Sequence, residues 1–122
     1  MELRNKVALI VGGSSGLGEA TARKFSSEGA TCAVVASNNI RKANKVAREI
    51  KRNSKGYVCD ITKPGQVKSL VEKVLINHKK IDILVGRAGG GSLEAAYLGI
   101  PQILIPYKHG TTSSHQSLNA KY

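Results

Sequence analysis

Val7-Ala8-Leu9-Ile10-Val11-Gly12-Gly13-Ser14-Ser15-Gly16-Leu17-Gly18 decides how this chain folds. The apolar run Val7-Ala8-Leu9-Ile10 reads as a buried strand, placed at Lys6–Val11. Glycines follow at once, and a helix opens behind them at Gly16. Strand, glycine-rich turn and helix start together make an anion site. Glycines let the backbone approach a phosphate, and the free N–H groups and positive dipole end of the helix face it. A nucleotide or dinucleotide is the natural ligand of such a turn.

Strand and helix signals alternate on either side of that stretch. Helix one is predicted at Gly16–Ser27, with Leu17, Ala20, Thr21 and Phe25 inward and Gly29 as its stop. Thr31–Ala36 reads as strand two and Ile40–Arg52 as helix two, with Ile40, Ala43, Val46, Ala47 and Ile50 at helical spacing. Tyr57–Asp60 is a short strand three. Thr62 is placed to cap the next helix and Pro64 sits in its first turn; the helix runs to about Asn77, with Val67, Leu70, Val71, Val74 and Leu75 inward. Ile81–Val85 is strand four. Ser92 caps a short helix ending at Gly99-Ile100-Pro101, Gln102–Pro106 is strand five, and Ser113-Ser114-His115-Gln116 has capping-box spacing for a last helix.

Parallel strands need crossovers, and right-handed crossovers place helices on both faces. The pattern therefore predicts an α/β chain: a single Rossmann-like doubly wound parallel sheet of five strands in order 3-2-1-4-5, residues 1–122 forming one domain. Its switch point lies between strands one and four, and ligands bind there at the carboxyl ends of the strands.

Composition agrees with a globular domain: 41% hydrophobic and 22% charged residues, with no run long enough to span a membrane. Met1-Glu2-Leu3-Arg4-Asn5-Lys6 lacks the apolar core of a signal peptide, so a cytoplasmic protein is expected. Cys32 and Cys59 read as reduced core residues, not as ligands or a disulfide. The formal charge of +11 is concentrated in Arg41, Lys42, Lys45, Arg48, Lys51, Arg52 and Lys55, against Glu49 alone. No aromatic residue interleaves that run, which argues against stacking on single-stranded nucleic acid. Truncated doubly wound sheets expose edge strands, here three and five, which could pair two copies of the chain.

Residues 1–85 resemble the N-terminal part of the short-chain dehydrogenases. That family's motif is Thr-Gly-x-x-x-Gly-x-Gly; Gly12, Gly16 and Gly18 match it, and Val11 replaces the Thr. Cys59-Asp60-Ile61-Thr62 follows, where the family has an Asp that contacts adenine; a turn or cap acid is the other role open to Asp60. Ile81-Asp82-Ile83-Leu84-Val85 leads in the family into Asn-Asn-Ala-Gly, whereas Gly86-Arg87-Ala88-Gly89 stands here. An acid at the end of strand two would bind the ribose of NAD. Ser37-Asn38-Asn39 stands there instead, with Arg41 and Lys42 close by, which favours NADP. The family's catalysis needs Tyr-x-x-x-Lys, and none of Tyr57, Tyr97, Tyr107 and Tyr122 has Lys four positions on.

From Gly86 onward, Gly86-Arg87-Ala88-Gly89-Gly90-Gly91-Ser92-Leu93-Glu94-Ala95-Ala96 is similar to the donor-nucleotide segment of two-domain glycosyltransferases, the bacterial cell-wall N-acetylglucosaminyltransferases above all. Gly99-Ile100-Pro101, Ile103-Leu104-Ile105-Pro106 and Gln116-Ser117-Leu118-Asn119-Ala120 fill the rest of that pattern. The resemblance implies a UDP-sugar, with the loop on its diphosphate and Glu94 on its ribose. Gln116 would then contact the sugar, while His109 and His115 read as solvated rather than metal-bound.

Two resemblances meeting near Ala88-Gly89 predict a recombined, engineered chimera without catalysis, keeping weak NADP or nucleotide-phosphate affinity. The alternatives are an NADP-binding oxidoreductase fragment and a UDP-sugar-binding module. No metal is expected. The residues expected at the cofactor are Gly12, Ser14, Ser15, Gly16, Leu17, Gly18, Asn38, Arg41, Asp60, Ala88, Gly89 and Glu94.

Overall fold

A computed structural model describes residues 2–87 and 100–105. Its elements run β1 (Val7–Val11), α1 (Gly16–Ser27), β2 (Thr31–Ala36), α2 (Ile40–Ile50), β3 (Lys55–Val58), α3 (Pro64–His78), β4 (Ile83–Arg87) and β5 (Gln102–Ile105). The five strands form one sheet in the expected order β3-β2-β1-β4-β5. Every pairing is parallel, with Val7 opposite Thr31 on one side of β1 and Ala8 opposite Ile83 on the other. The helices expected around Ser92 and Ser113 lie outside the described residues.

All five residues of β1 are buried, because helices cover both faces. The side chains alternate as a strand requires. Ala8 and Ile10 join Cys32, Val34, Ala43, Val46 and Ala47 in the core beneath α1 and α2. Leu9 and Val11 join Val35, Tyr57, Val67, Leu70 and Val74 in the core beneath α3. Both cysteines are free and buried, and burial pushes the Cys32 thiol up to about 12. No helix among the described residues is long and apolar enough to cross a membrane.

Several local expectations are corrected: Leu75, expected inward, is exposed, and strand four is Ile83–Arg87 rather than Ile81–Val85. The inner face of α1 is Gly18, Ala22 and Ser26, while Leu17 is 48% exposed and Ala20 is exposed. Small residues win that face because the helix lies close to the turn and the sheet, leaving no room for Leu17. Strand three is Lys55–Val58 rather than Tyr57–Asp60; Ala33 and Ala36 of β2 pair with Lys55 and Val58, so cross-strand register overrides the weak strand propensity of Lys55 and Gly56. Thr62 does not cap α3. Its hydroxyl bonds the Asp60 carboxylate at 2.6 Å, and Lys63 stands at the cap without a side-chain bond.

The turn leaving α2 holds Lys51, Arg52 and Asn53 at φ of 61°, 52° and 62°, a region that disfavours side chains by about 1 kcal/mol or more each. Bonds to neighbouring elements hold it there. The Thr31 hydroxyl donates to the Arg52 carbonyl at 2.8 Å, and Arg52 Nε donates to the Ser26 carbonyl at 2.8 Å.

Below β3, the Asn77 amide donates to the Tyr57 hydroxyl at 2.9 Å, and that hydroxyl shares a hydrogen bond with His78 Nε2 at 3.0 Å. Burial, and then the charge of Lys55, hold the His78 imidazole below its ordinary value of 6.5. The unfolded chain therefore takes up the proton more readily than the folded one. This site opposes folding progressively as the pH falls from about 6.5 through the lowered folded value, and has no such effect above that range. Urea midpoints should drop between pH 7.5 and 5.5, and H78Q should flatten the slope; an unchanged slope would remove His78 from the account.

Candidate functional site

Beyond Val11 the chain leaves the sheet with Gly12 at φ 75°. The Gly12 and Gly13 amides both donate to the Val35 carbonyl, at 2.8 and 3.1 Å, which ties the turn to the end of β2. Ser15 stands at the cap of α1 without a side-chain bond to the first amides, so no side chain blocks the helix start. Behind it, a Cβ on Gly18 would lie within 2.6 Å of the Gly12 carbonyl carbon and closer still to its oxygen. Only bare backbone lets the helix start approach the turn this closely, which is what a phosphate cradle needs.

A cavity of about 340 Å³ opens over the carboxyl ends of β1 and β2. Val11, Gly12, Ser14 and Ser15 form one wall; Val35, Ala36 and Ser37 form the floor; Cys59, Asp60, Ile61 and Thr62 close the far side. Asp60 is the one acid on this lining. Its Oδ1 accepts from the Thr62 hydroxyl and from the Thr62 amide at 3.0 Å, and these bonds hold the carboxyl below the usual range. Asp60 is thus a turn-forming acid and a wall of the cavity at once. Burial, and then Asp60, push the Cys59 thiol up, so it stays a neutral wall and not a nucleophile.

A second hollow, about 250 Å³, shares Ser14 and Ser15 with the first and adds Gly16, Glu19, Arg23, Lys42, Lys45 and Val46. Its charges are unequal in availability. Arg23 is paired with Glu19 at 2.8 Å and Glu49 at 2.5 Å, and Lys45 lies 3.8 Å from Glu49. Lys42 has no ion pair among the described residues and is the cation left for an arriving anion.

The structure therefore brings Gly12, Ser14, Ser15, Gly16 and Asp60 to two hollows that share Ser14 and Ser15, with Gly18 packed against Gly12 behind them. Leu17, Asn38 and Arg41 are exposed and line neither cavity. The α2 cap explains the last two. Asn39 Oδ1 accepts from the Arg41 and Lys42 amides, at 3.0 and 3.3 Å, which starts the helix there. The next residues inward along the helix, Lys42 and Lys45, then face the hollow. Their spacing of three on a helix was the available signal. Ser37, not Asn38, is the residue of that loop on the floor. Ala88, Gly89 and Glu94 lie outside the described residues. Among the described residues no group of three or more His, Cys, Asp or Glu side chains could hold a metal ion.

Known proteins share this arrangement. The short chain dehydrogenase family matches residues 6–99. The (-)-isopiperitenol/(-)-carveol dehydrogenase of Mentha piperita is 39% identical over 95 residues, covering 77% of this chain and 36% of its own length. The 3-oxoacyl-[acyl-carrier-protein] reductase FabG of Thermotoga maritima is 38% identical over 91 residues, 73% of this chain and 37% of the relative. A 3-ketoacyl-(acyl-carrier-protein) reductase from Brucella melitensis, solved in complex with NADH, superposes with a TM-score of 0.66 at 38% identity, covering 70% of this chain and 36% of that one. The chain thus spans about a third of the length of the relatives it matches.

The expectation of a recombined, engineered chimera is overturned here. The family match runs through Ala88-Gly89 and Glu94 to residue 99, across the expected junction, and the relatives are dehydrogenases and reductases. A glycine-rich loop after a parallel strand serves diphosphates in more than one family, so loop composition did not mark a change of parent. The expectations of a glycosyltransferase segment and of a UDP-sugar lose their basis with it. With the central strand, the turn and the following three crossovers all inside one match, the chain belongs to the short-chain dehydrogenase family.

Proposed function

We propose that this chain supplies the NAD(P)-binding part of an oxidoreductase and prefers NADP to NAD. The observation that carries the reading is the turn itself: Gly12 and Gly18 in backbone contact beside an open helix start, with a cavity running from there to Asp60. The bound nicotinamide would supply the hydride donor or acceptor; the chain's own residues bind and orient the cofactor. The α1 amides and the Ser14 and Ser15 hydroxyls suit the diphosphate. The Ile61 and Cys59 walls suit adenine, beside the carboxylate of Asp60.

Preference for NADP rests on charge. No carboxylate ends β2, where Ser37, Asn38 and Asn39 follow Ala36, so nothing there repels a 2′-phosphate. Lys42, unpaired among the described residues, lines the adjoining hollow with Ser14 and Ser15.

Titration of the purified chain with NADPH and NADH, followed by nicotinamide fluorescence, tests both levels. NADPH is expected to bind about tenfold tighter, roughly 1.4 kcal/mol. K42A should remove most of that difference, and S37D should invert it. Equal affinities would defeat the NADP preference; no binding of either would defeat the cofactor role.

A further inference from the structure

One groove does not belong to the nucleotide site. It measures about 510 Å³ and lies along the outer edge of the sheet, between β3 and α3. Among the described residues β3 pairs with β2 alone and carries no strand on its other side. The Cys59 amide donates inward to the Ala36 carbonyl at 3.0 Å, so the alternation of a parallel ladder turns the Gly56 and Val58 amides away from β2; Gly56 is buried under Asn44 of α2, whereas Val58 is exposed. The backbone of Val58 thus stands open beside the groove.

The walls have a definite character. Ile40 and Val58, 42% and 43% exposed, are large apolar side chains left in water, with Leu70 behind them. Lys55 and Lys73 supply charge, and no carboxylate lines the groove. Exposed strand edges invite pairing, and lysine on an edge deters pairing with another copy of the same chain. Here a second copy would bring its own Lys55 and Lys73 against these, on a chain already at +11. The same lysines attract a strand of opposite charge.

We infer that the open edge of β3 is an interaction surface for an extended acidic segment of a partner protein, added to the sheet as a further strand. Alternate side chains of such a segment face the same way. Carboxylates on one side would meet Lys55 and Lys73, and β-branched residues would cover Ile40 and Val58. Backbone bonding then gives affinity and the lysines give selection. This surface is separate from the nucleotide site, so neither reading depends on the other.

The test uses the whole chain and three fluorescent heptapeptides. One is Thr-Glu-Val-Glu-Val-Glu-Thr, one replaces each Glu with Lys, and one replaces each Val with Pro. Anisotropy should show the Glu peptide binding at least about tenfold tighter than either other peptide. The double variant K55E/K73E should reverse the preference between Glu and Lys peptides while NADPH affinity stays unchanged. In the unaltered chain, the Val58 amide should gain protection from hydrogen exchange when the Glu peptide is added, a readout independent of how the variant folds. Equal binding of the Pro peptide would reduce the effect to bulk charge and overturn the proposal. So would displacement of the Glu peptide by an equimolar oligonucleotide of like charge, or a β3-paired dimer of the chain alone in sedimentation.

Discussion

Leu9→Ala should destabilise the domain by about 2–5 kcal/mol, the range for emptying a packed leucine site. Leu9 has no exposed surface and occupies the middle of the middle strand. Its register partners are Ala33 on one side and Leu84 on the other, and its side chain packs in the core beneath α3. Ala33 is too small to fill the void, and the strands on both sides are pinned by ladder bonds, so collapse is limited. Domains of this size hold only about 5–15 kcal/mol in total, and a large part of that would go. Urea unfolding followed by circular dichroism measures it, with Leu75→Ala as the reference. Leu75 is 40% exposed and should change stability much less. A loss below about 1 kcal/mol for Leu9→Ala would mean that the core relaxes around the gap.

Gly18→Ala should damage the nucleotide site more than any other single methyl. The added carbon would press on the Gly12 carbonyl, within 2.6 Å of its carbon, and both groups are backbone, so no side chain can swing aside. Either α1 withdraws from the turn or the turn distorts. Overpacking of this kind destabilises by about 1–3 kcal/mol. The larger effect falls on the cofactor: NADPH affinity should drop by at least about tenfold, because the helix start and the turn no longer face one phosphate together. Gly65→Ala is the contrasting case. Nothing lies within 4 Å of a Cβ there, in the first turn of α3, and a small gain in stability is expected. If Gly18→Ala bound NADPH as well as the parent, the cradle reading would fail.

The strand order and the glycine turn were legible because both depend on local pattern. An unbroken apolar run beside Gly12, Gly16 and Gly18 has few other uses, and alternating strand and helix signals leave only parallel crossovers. The misplacements arose where tertiary contacts overrule local pattern. Leu17 fits an apolar helix stripe, yet α1 turns Gly18, Ala22 and Ser26 inward because the turn leaves no depth for a larger side chain. Thr62 has the chemistry of a cap, yet the Asp60 carboxylate two residues earlier captures its hydroxyl. Lys42 and not Arg41 lines the hollow beside the glycine turn, since the Asn39 cap sets the rotation of α2. The glycines after β4 were misread for a different reason: glycine-rich loops after parallel strands recur in more than one family.

The position of β1 also governs how the molecule can be made. Its second edge is completed only by β4, and the Asp82 carboxylate closes the contact by accepting from the Val7 amide, 75 residues away in the chain. A ribosome adds about 5–20 residues each second, so roughly 4–15 s pass between the synthesis of these two partners. During that interval Leu9 and Ile10 have one neighbouring strand at most, and their second edge stands open to any other extended chain. Sheets that wait on distant partners close slowly. The strand that ends up most deeply enclosed is therefore the one that spends longest unprotected, and the nascent chain's exposure to chaperones and to misassembly is set by the arrival of β4.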